Sequence, residues 1–266
     1  MHEILETLDA HSVVLDLGCN TGSFPQSATA ARVVRLDYKI PAGRPDGAFI
    51  QADAAHLPFP DHNFAAVISN HSLEHIDDLD GALSELGRVI HRSGSLFVAV
   101  PDASTFTDKL YRWLTRGGGH VNPFTSAEEL ASHIEQATGL RHVATKLLYS
   151  SLAFLNARNA TGPRPRRWKL VGGGTEWSLR AYTFLSRRLD RRFGTRTSIY
   201  GWAFYFGNFS APIDTIPWPN VCIRCGSGSP VNYLIQQNRI RSADGMFPVF
   251  DCPACGTRNS FLRCSV

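Results

Sequence analysis

Up to about residue 150 the chain alternates short apolar runs with stretches in which apolar residues recur every three or four positions, the pattern of strands alternating with helices. The predicted strands are VVLDL (13–17), RVVRLD (32–37), AFIQA (48–52), FAAVIS (64–69) and SLFVAV (95–100). Between the last two, Leu79, Leu83, Leu86 and Ile90 keep helical spacing, with Asp77 or Asp78 available as a cap. Ser126, followed three residues later by Glu129, predicts a capping box and a helix to Ala137 that Gly139 ends. These elements predict an α/β domain on a mostly parallel sheet flanked by helices.

Two further β-type runs, HVATKLLYS (142–150) and IYGWAFYF (199–206), enclose a long segment rich in Arg, Gly and aromatics. If both join the sheet, residues 151–198 are an insertion between its last two strands. Eleven basic residues lie between Arg158 and Arg196 against only Glu176 and Asp190, so the formal charge of +4 hides a basic insertion in an otherwise acidic chain. Such a surplus suits an acidic metabolite or a nucleic-acid backbone, or is a solvated helical face. A disordered linker is the other reading, opposed by Trp168, Trp177, Tyr182, Phe184, Leu185 and Leu189, which could bury surface. From Pro217 the chain turns to Pro, Gly, Ser and Cys, so the expected domains are residues 1–212 and a small one at 217–266. No run reaches the roughly 18 apolar residues of a membrane helix, and MHEILETLDAH lacks the features of a signal peptide, which makes a cytoplasmic protein without a membrane span the expectation.

The first strand leads into Asp16-Leu17-Gly18-Cys19-Asn20-Thr21-Gly22, and a helix is expected from about Ser23, with Pro25 in its first turn. Glycines let backbone approach a ligand, and Asn20 tolerates a positive φ. A dinucleotide loop G-x-G-x-x-G would need glycines at 20 and 23, where Asn and Ser stand. The loop resembles motif I of class I S-adenosyl-L-methionine-dependent methyltransferases. Asp37 ends the second strand, where a carboxylate can accept both ribose hydroxyls, a feature that fits NAD equally. Residues 51 to 102, QADAAHLPFPDHNFAAVISNHSLEHIDDLDGALSELGRVIHRSGSLFVAVPD, resemble the methyltransferase type 11 family nearly element by element, and the whole resemblance covers roughly residues 10 to 140.

That resemblance implies a Rossmann-like, doubly wound sheet with an antiparallel last strand and a bound S-adenosyl-L-methionine. It assigns the cofactor to Asp16, Gly18, Cys19, Asn20, Gly22, Asp37, Tyr38, Asp53, Ala54, Asn70 and His71, with Asp53 and Ala54 at the adenine and Ser69-Asn70-His71 beside the methyl. A side-chain base is optional in methyl transfer; His71 and His120 are the candidates, and each is equally readable as a capping or packing residue. His71-Ser72-Leu73-Glu74-His75 also satisfies H-x-x-E-H, a zinc-peptidase motif that belongs inside a helix, whereas here an apolar strand runs into it. His75 alone reads as a packing histidine. SNHSL differs from the Asn/Asp-Pro-Pro-aromatic stretch of amino-methylating DNA enzymes, and no cysteine stands there for covalent cytosine chemistry. The expected lid is the loop from Asp102 to Asn122, with Tyr111 and Trp113, together with the insertion.

Five of the six cysteines fall in the last 45 residues. Cys222-Ile-Arg-Cys225-Gly and Cys252-Pro-Ala-Cys255-Gly form two C-x-x-C-G knuckles 26 residues apart, the spacing of a four-thiolate site for a structural Zn2+. The segment resembles a zinc ribbon, with VNYLIQQNRI and MFPVFD as its intervening strands. Cys264 is left as a spare thiol, and Cys19 is expected to use its backbone only. The function expected is methyl transfer to a small acceptor. The alternatives are an RNA methyltransferase gripping phosphates with the ribbon and insertion, and an adaptor that keeps the cofactor fold without turnover.

Overall fold

The computed structural model describes every residue except Arg44, 116–117, 160–165, 242–247 and 264–266, so Cys264 lies outside the described residues. After a single helical turn, α1 (His2–Leu5), come β1 (Val13–Leu17), β2 (Arg32–Asp37), β3 (Ala48–Gln51) and β4 (Phe64–Asn70). Then follow α2 (Leu79–Val89), β5 (Ile90–Pro101), α3 (Phe106–Thr115), α4 (Ala127–Thr138), β6 (His142–Tyr149), α5 (Glu176–Phe193) and β7 (Ile199–Gly207). The seven strands order as β3-β2-β1-β4-β5-β7-β6, and β7, the last of them along the chain, is antiparallel. Because β1 pairs in parallel with both β2 and β4, the chain reverses its direction of sheet growth between β1 and β4. The crevice outside the carboxyl ends at such a reversal is where ligands bind in this architecture.

Sequence logic explains most of these boundaries. Asp78 caps α2, its carboxylate accepting the Gly81 N–H at 3.0 Å, and Ser126 caps α4 by accepting from the Glu129 N–H at 3.2 Å. Gly139 ends α4 in the left-handed conformation, φ 69°, as its position predicts. Leu83 and Leu86 of α2, Leu130 and Ile134 of α4, and Leu15, Val67, Leu96, Val98 and Phe204 of the strands form one buried cluster. Ile90, expected to close the helix, is instead the first residue of β5.

One expected helix does not form. Between β1 and β2 the only regular element is a 3-10 turn at Gln26–Ala28, preceded by Pro25 in an extended conformation. The segment SFPQSATAA has no apolar face at helical spacing, and Pro25 disfavours a helical backbone at Phe24 before it, so a helix could start no earlier than Pro25.

By compactness the chain divides into a unit of Met1–Ala103, Gly119–Lys146 and Trp202–Thr215, and a second of Ser104–Gly118, Leu147–Gly201 and Ile216–Val266. The second therefore gathers α3, the basic insertion and the cysteine segment, where composition alone draws a boundary at 217 and leaves the insertion with the sheet. Its apolar centre is Leu114, Leu152, Leu155, Leu179 and Ile223. Asn156 Nδ2 donates to the Ile223 carbonyl at 2.9 Å and Asn159 Nδ2 to the Arg224 carbonyl at 2.6 Å, fastening the first knuckle to the insertion. Residues 106–115, expected as loop, are helix α3, and α5 runs for 18 residues from its Thr175 cap to Gly194.

Much of the arginine surplus is engaged within this unit. Arg187 is buried and donates to the Ser150 carbonyl at 3.0 Å, Arg188 stacks on Phe184, Arg192 on Phe193, and Arg167 on Trp113. Asp190 accepts from the Thr197 and Ser198 N–H groups, both at 2.7 Å, and so closes the turn after α5.

The cysteine segment holds β8 (Asn220–Val221), β9 (Gly228–Ser229), α6 (Val231–Gln236), β10 (Ile240–Arg241), β11 (Val249–Asp251) and β12 (Arg258–Ser260). VNYLIQQNRI, expected as a strand, is α6 followed by a turn into β10. Pro230 precedes the helix as its cap, and Val231 and Leu234, three apart, face the same small core as Phe250 and Phe261. Within MFPVFD the strand covers Val249–Asp251, and residues 246–247 lie outside the described ones.

Candidate functional site

Four parallel strands bring their carboxyl ends to one edge, and short loops tie those ends together. Leu17 is paired with Leu36 of β2 and with Ser69 of β4. Beyond it Gly18 turns at φ 65°, and a Cβ there would stand 2.3 Å from Ser72 Cβ, so only glycine lets the two loops touch. The Ser72 hydroxyl in turn meets that of Ser69 at 2.6 Å. The Cys19 N–H donates to the Leu36 carbonyl at 3.0 Å, and Asn20 takes the positive φ of 44° that its residue type tolerates.

Two carboxylates clamp this loop. The Asn20 N–H donates to Asp37 Oδ2 at 2.8 Å, and the Ser23 N–H donates to Asp16 Oδ2 at 2.9 Å. Asp37 Oδ1 also accepts the Lys39 N–H at 3.0 Å, and Tyr38 beside it is largely exposed. At the tip of β3, the Ala52 N–H donates to the Asp37 carbonyl at 3.2 Å, which sets Asp53 and Ala54 next to the β2 tip. Asp53 Oδ1 accepts the Ala55 N–H at 3.0 Å, and its side chain is otherwise about half exposed.

Arg35, which sequence reasoning passed over, completes the clamp. It is fully buried on β2, in register with Asp16, and its guanidinium donates to the Asp16 and Asp46 carboxylates and to the Phe24 carbonyl at 2.6 Å. Asp16 is thus a buried, paired carboxylate that shapes the loop from below. Its Oδ1 is buried without a hydrogen-bond partner among the described residues. The available signal was an arginine inside an otherwise apolar run, RVVRLD, one strand away from a lone buried acid.

At the tip of β4, Asn70 is in register with Ala99, and the His71 N–H donates to the Ala99 carbonyl at 2.8 Å. His71 then takes φ 58°, a left-handed conformation that a non-glycine residue adopts at a cost. Its Nδ1 lies 3.8 Å from Glu74 Oε1. Burial, and then the neighbouring His120 and His75, push the imidazole down to about 4, so it is neutral at pH 7.

Leu73–His75 is one 3-10 turn, so the helix that a zinc peptidase requires for H-x-x-E-H is not formed. His75 is exposed, and rather than packing in a core it tethers the following segment. Its Nδ1 bonds the Gly119 carbonyl at 2.9 Å, and its ring meets that of His120 edge-on with centroids 4.9 Å apart. The N–H groups of Val121 and Asn122 donate to the Glu74 carbonyl, and Asn122 Nδ2 donates to the carbonyls of Leu73 and Ile76.

In the second unit the four knuckle cysteines converge. Cys222 and Cys255 have sulfurs 3.6 Å apart, as do Cys225 and Cys252. All four sulfurs lie within 4.8 Å of one another, close to the edge of about 3.8 Å expected for four thiolates on one tetrahedral zinc. The knuckles repeat one hydrogen-bond pattern: Gly226 N–H to Cys222 carbonyl and Cys222 N–H to Ser227 carbonyl in the first, Gly256 to Cys252 and Cys252 to Thr257 in the second. Gly226 and Gly256 sit at φ 76° and 71°, the left-handed position that the glycine of each C-x-x-C-G supplies.

An adenosyl sulfonium fits the sheet-edge site on two counts. The buried Asp16 Oδ1 leaves acceptor capacity unfilled, and the missing Cβ at Gly18 draws the loop against the β4 tip without a side chain in the way. Residues 15–98 match the family described as a methyltransferase domain. The chain is 31% identical over 162 residues to malonyl-[acyl-carrier protein] O-methyltransferase of Yersinia pestis, covering 56% of this chain and 58% of that protein. It is 38% identical over 106 residues to demethylmenaquinone methyltransferase of Thermobifida fusca, covering 34% and 45%. The chain thus spans about half the length of these curated relatives. An S-adenosylmethionine-dependent methyltransferase from Archaeoglobus fulgidus shares the fold at TM-score 0.52 and 17% identity, covering 77% of this chain and 88% of that one. The register at the β1–β4 tips and these matches agree on one likeness: residues 15–98, about a third of the chain, match a methyltransferase domain.

Proposed function

We propose that the protein transfers the methyl group of S-adenosylmethionine to an acceptor of low molar mass, or to a small group carried on a larger one. The observation that carries this reading is the clamp at the β1–β2 tips, Asp37 to Asn20 and Asp16 to Ser23, inside a matched methyltransferase domain. In it Asp37 accepts the ribose hydroxyls, Asp53 and the Ala54 backbone take the adenine, and Gly18 to Gly22 with Asp16 hold the methionine end. Tyr38 flanks the adenosine, and Asn70 and His71 border the methyl. The cofactor supplies an electrophilic methyl on sulfur; the protein's share of the work is alignment of the acceptor with it. His71, neutral at pH 7 with a depressed pKa, is a weak base suited to orienting an acceptor, and His120 is the second candidate.

The relatives named above act on a malonyl group of acyl-carrier protein and on demethylmenaquinone, which favours a small acceptor over RNA. Arg187, buried and bonded to the Ser150 carbonyl, is withdrawn from any phosphate track on this segment. Incubation with methyl-labelled cofactor and a metabolite extract tests the reading. Label is expected in the small-molecule fraction and is lost with Asp37→Ala; label confined to RNA, or none at all, would refute it.

The cysteine cluster is proposed as a closed structural Zn2+ site, with Cys222, Cys225, Cys252 and Cys255 as ligands and no position left for catalysis. Metal analysis should find one tightly held zinc per chain that Cys252→Ala abolishes, together with loss of the second unit's cooperative unfolding.

A further inference from the structure

We propose that Glu74, His75 and His120 form a second metal site, for a divalent first-row transition cation with open coordination positions. One carboxylate oxygen and one nitrogen from each imidazole lie within 4.8 Å of one another. Ligands sharing one ion at about 2.1 Å stand about 3.4 Å apart, so modest side-chain rotations close the site. Two imidazoles and a carboxylate are the donor set that binds such cations while leaving positions for solvent or substrate.

The surroundings are built as a metal site's surroundings are. His75 Nδ1 is bonded to the Gly119 carbonyl, an acceptor only, so Nδ1 carries the proton and Nε2 presents its lone pair. His120 is held against the turn by the paired bonds of Val121 and Asn122 to the Glu74 carbonyl and by both bonds of Asn122 Nδ2. Glu74 is 1% exposed on the element that follows the β4 tip. His71, in the left-handed conformation three residues before Glu74, keeps its Nδ1 3.8 Å from the Glu74 carboxylate.

The site's existence is independent of the methyl-transfer reading; its role rests on that reading. At this strand tip the cation would take an acceptor hydroxyl and lower its pKa. The hydroxyl gives its proton to solvent, its oxygen pair forms the new O–C bond, and the C–S bond breaks with its electron pair returning to sulfur.

The test is equilibrium dialysis of Co2+ against full-length protein whose cysteines are already filled with zinc, read with the visible and near-ultraviolet spectrum. The expected result is one additional cobalt per chain without a thiolate charge-transfer band, with affinity at least tenfold weaker in His75→Ala and in His120→Ala. Neither imidazole is fully buried, and zinc content with circular dichroism verifies that each variant is folded. No cobalt beyond the cysteine site, a thiolate band, or equal uptake by wild type and both variants would overturn the proposal. S-adenosylhomocysteine uptake by the same samples separates the two claims: cobalt uptake without it refutes the methyltransferase reading and keeps the metal site, and the reverse does the opposite.

Discussion

Asp16 and Arg35 stand opposite each other in the β1–β2 register, both without exposed surface, and share a hydrogen bond beneath the loop that runs from Gly18 to Ser23. The pair is deep enough that removing one partner strands a charge in the core. Arg35→Met should therefore lower stability in urea unfolding by about 3–5 kcal/mol, whereas Asp16→Asn with Arg35→Met should recover part of that loss. A double variant whose loss equals the sum of the losses of Arg35→Met and Asp16→Asn alone would mean that the pair is not coupled.

Gly18 and Ser72 make a size-complementary contact. Gly18→Ala places a methyl 2.3 Å from Ser72 Cβ and also asks alanine to adopt φ 65°. The expected cost is about 2–4 kcal/mol, of which Ser72→Gly in the same chain relieves the steric share and leaves about 1 kcal/mol for the backbone conformation. Thermal denaturation of the three variants reads this directly, and a double variant no better than Gly18→Ala would contradict it.

Cys19 should be chemically quiet. Burial, reinforced by the charges of Asp16 and Asp37, pushes its thiol up to about 12 from an ordinary value near 9. At pH 8.5 the folded protein should alkylate at Cys19 at least about a hundredfold more slowly than the urea-unfolded chain, by peptide mass spectrometry. The linked stability term is intact below about pH 9 and is lost as pH rises from there toward 12, because the unfolded thiol ionises first. Rapid labelling of native Cys19 would show that the loop opens.

The sheet was largely legible because burial on both faces writes a parallel strand as a nearly unbroken apolar run; β1 and β2 have the predicted limits. The knuckle glycines and the caps Asp78 and Ser126 were legible for a similar reason, since each answers a local backbone demand. What escaped was tertiary. Arg35 is explained only by a partner on the neighbouring strand, and α6 by a core made with Phe250 and Phe261. The meeting of His75 with His120 depends on a hydrogen bond from His75 to Gly119, 44 residues away along the chain, that no local pattern announces. The crossover helix expected from Ser23, with Pro25 in its first turn, does not form because the segment has no apolar face at helical spacing to bury.

The proposal that the β1, β2 and β3 tips hold one adenosyl group is tested most directly by calorimetry of the zinc-loaded protein with S-adenosylhomocysteine. One site per chain is expected, weakened about 10- to 100-fold by Asp37→Ala, which would remove the proposed charged hydrogen bonds to the ribose, and weakened less by Asp53→Ala. A folded protein that takes up no S-adenosylhomocysteine, or whose affinity is indifferent to Asp37→Ala, would contradict it.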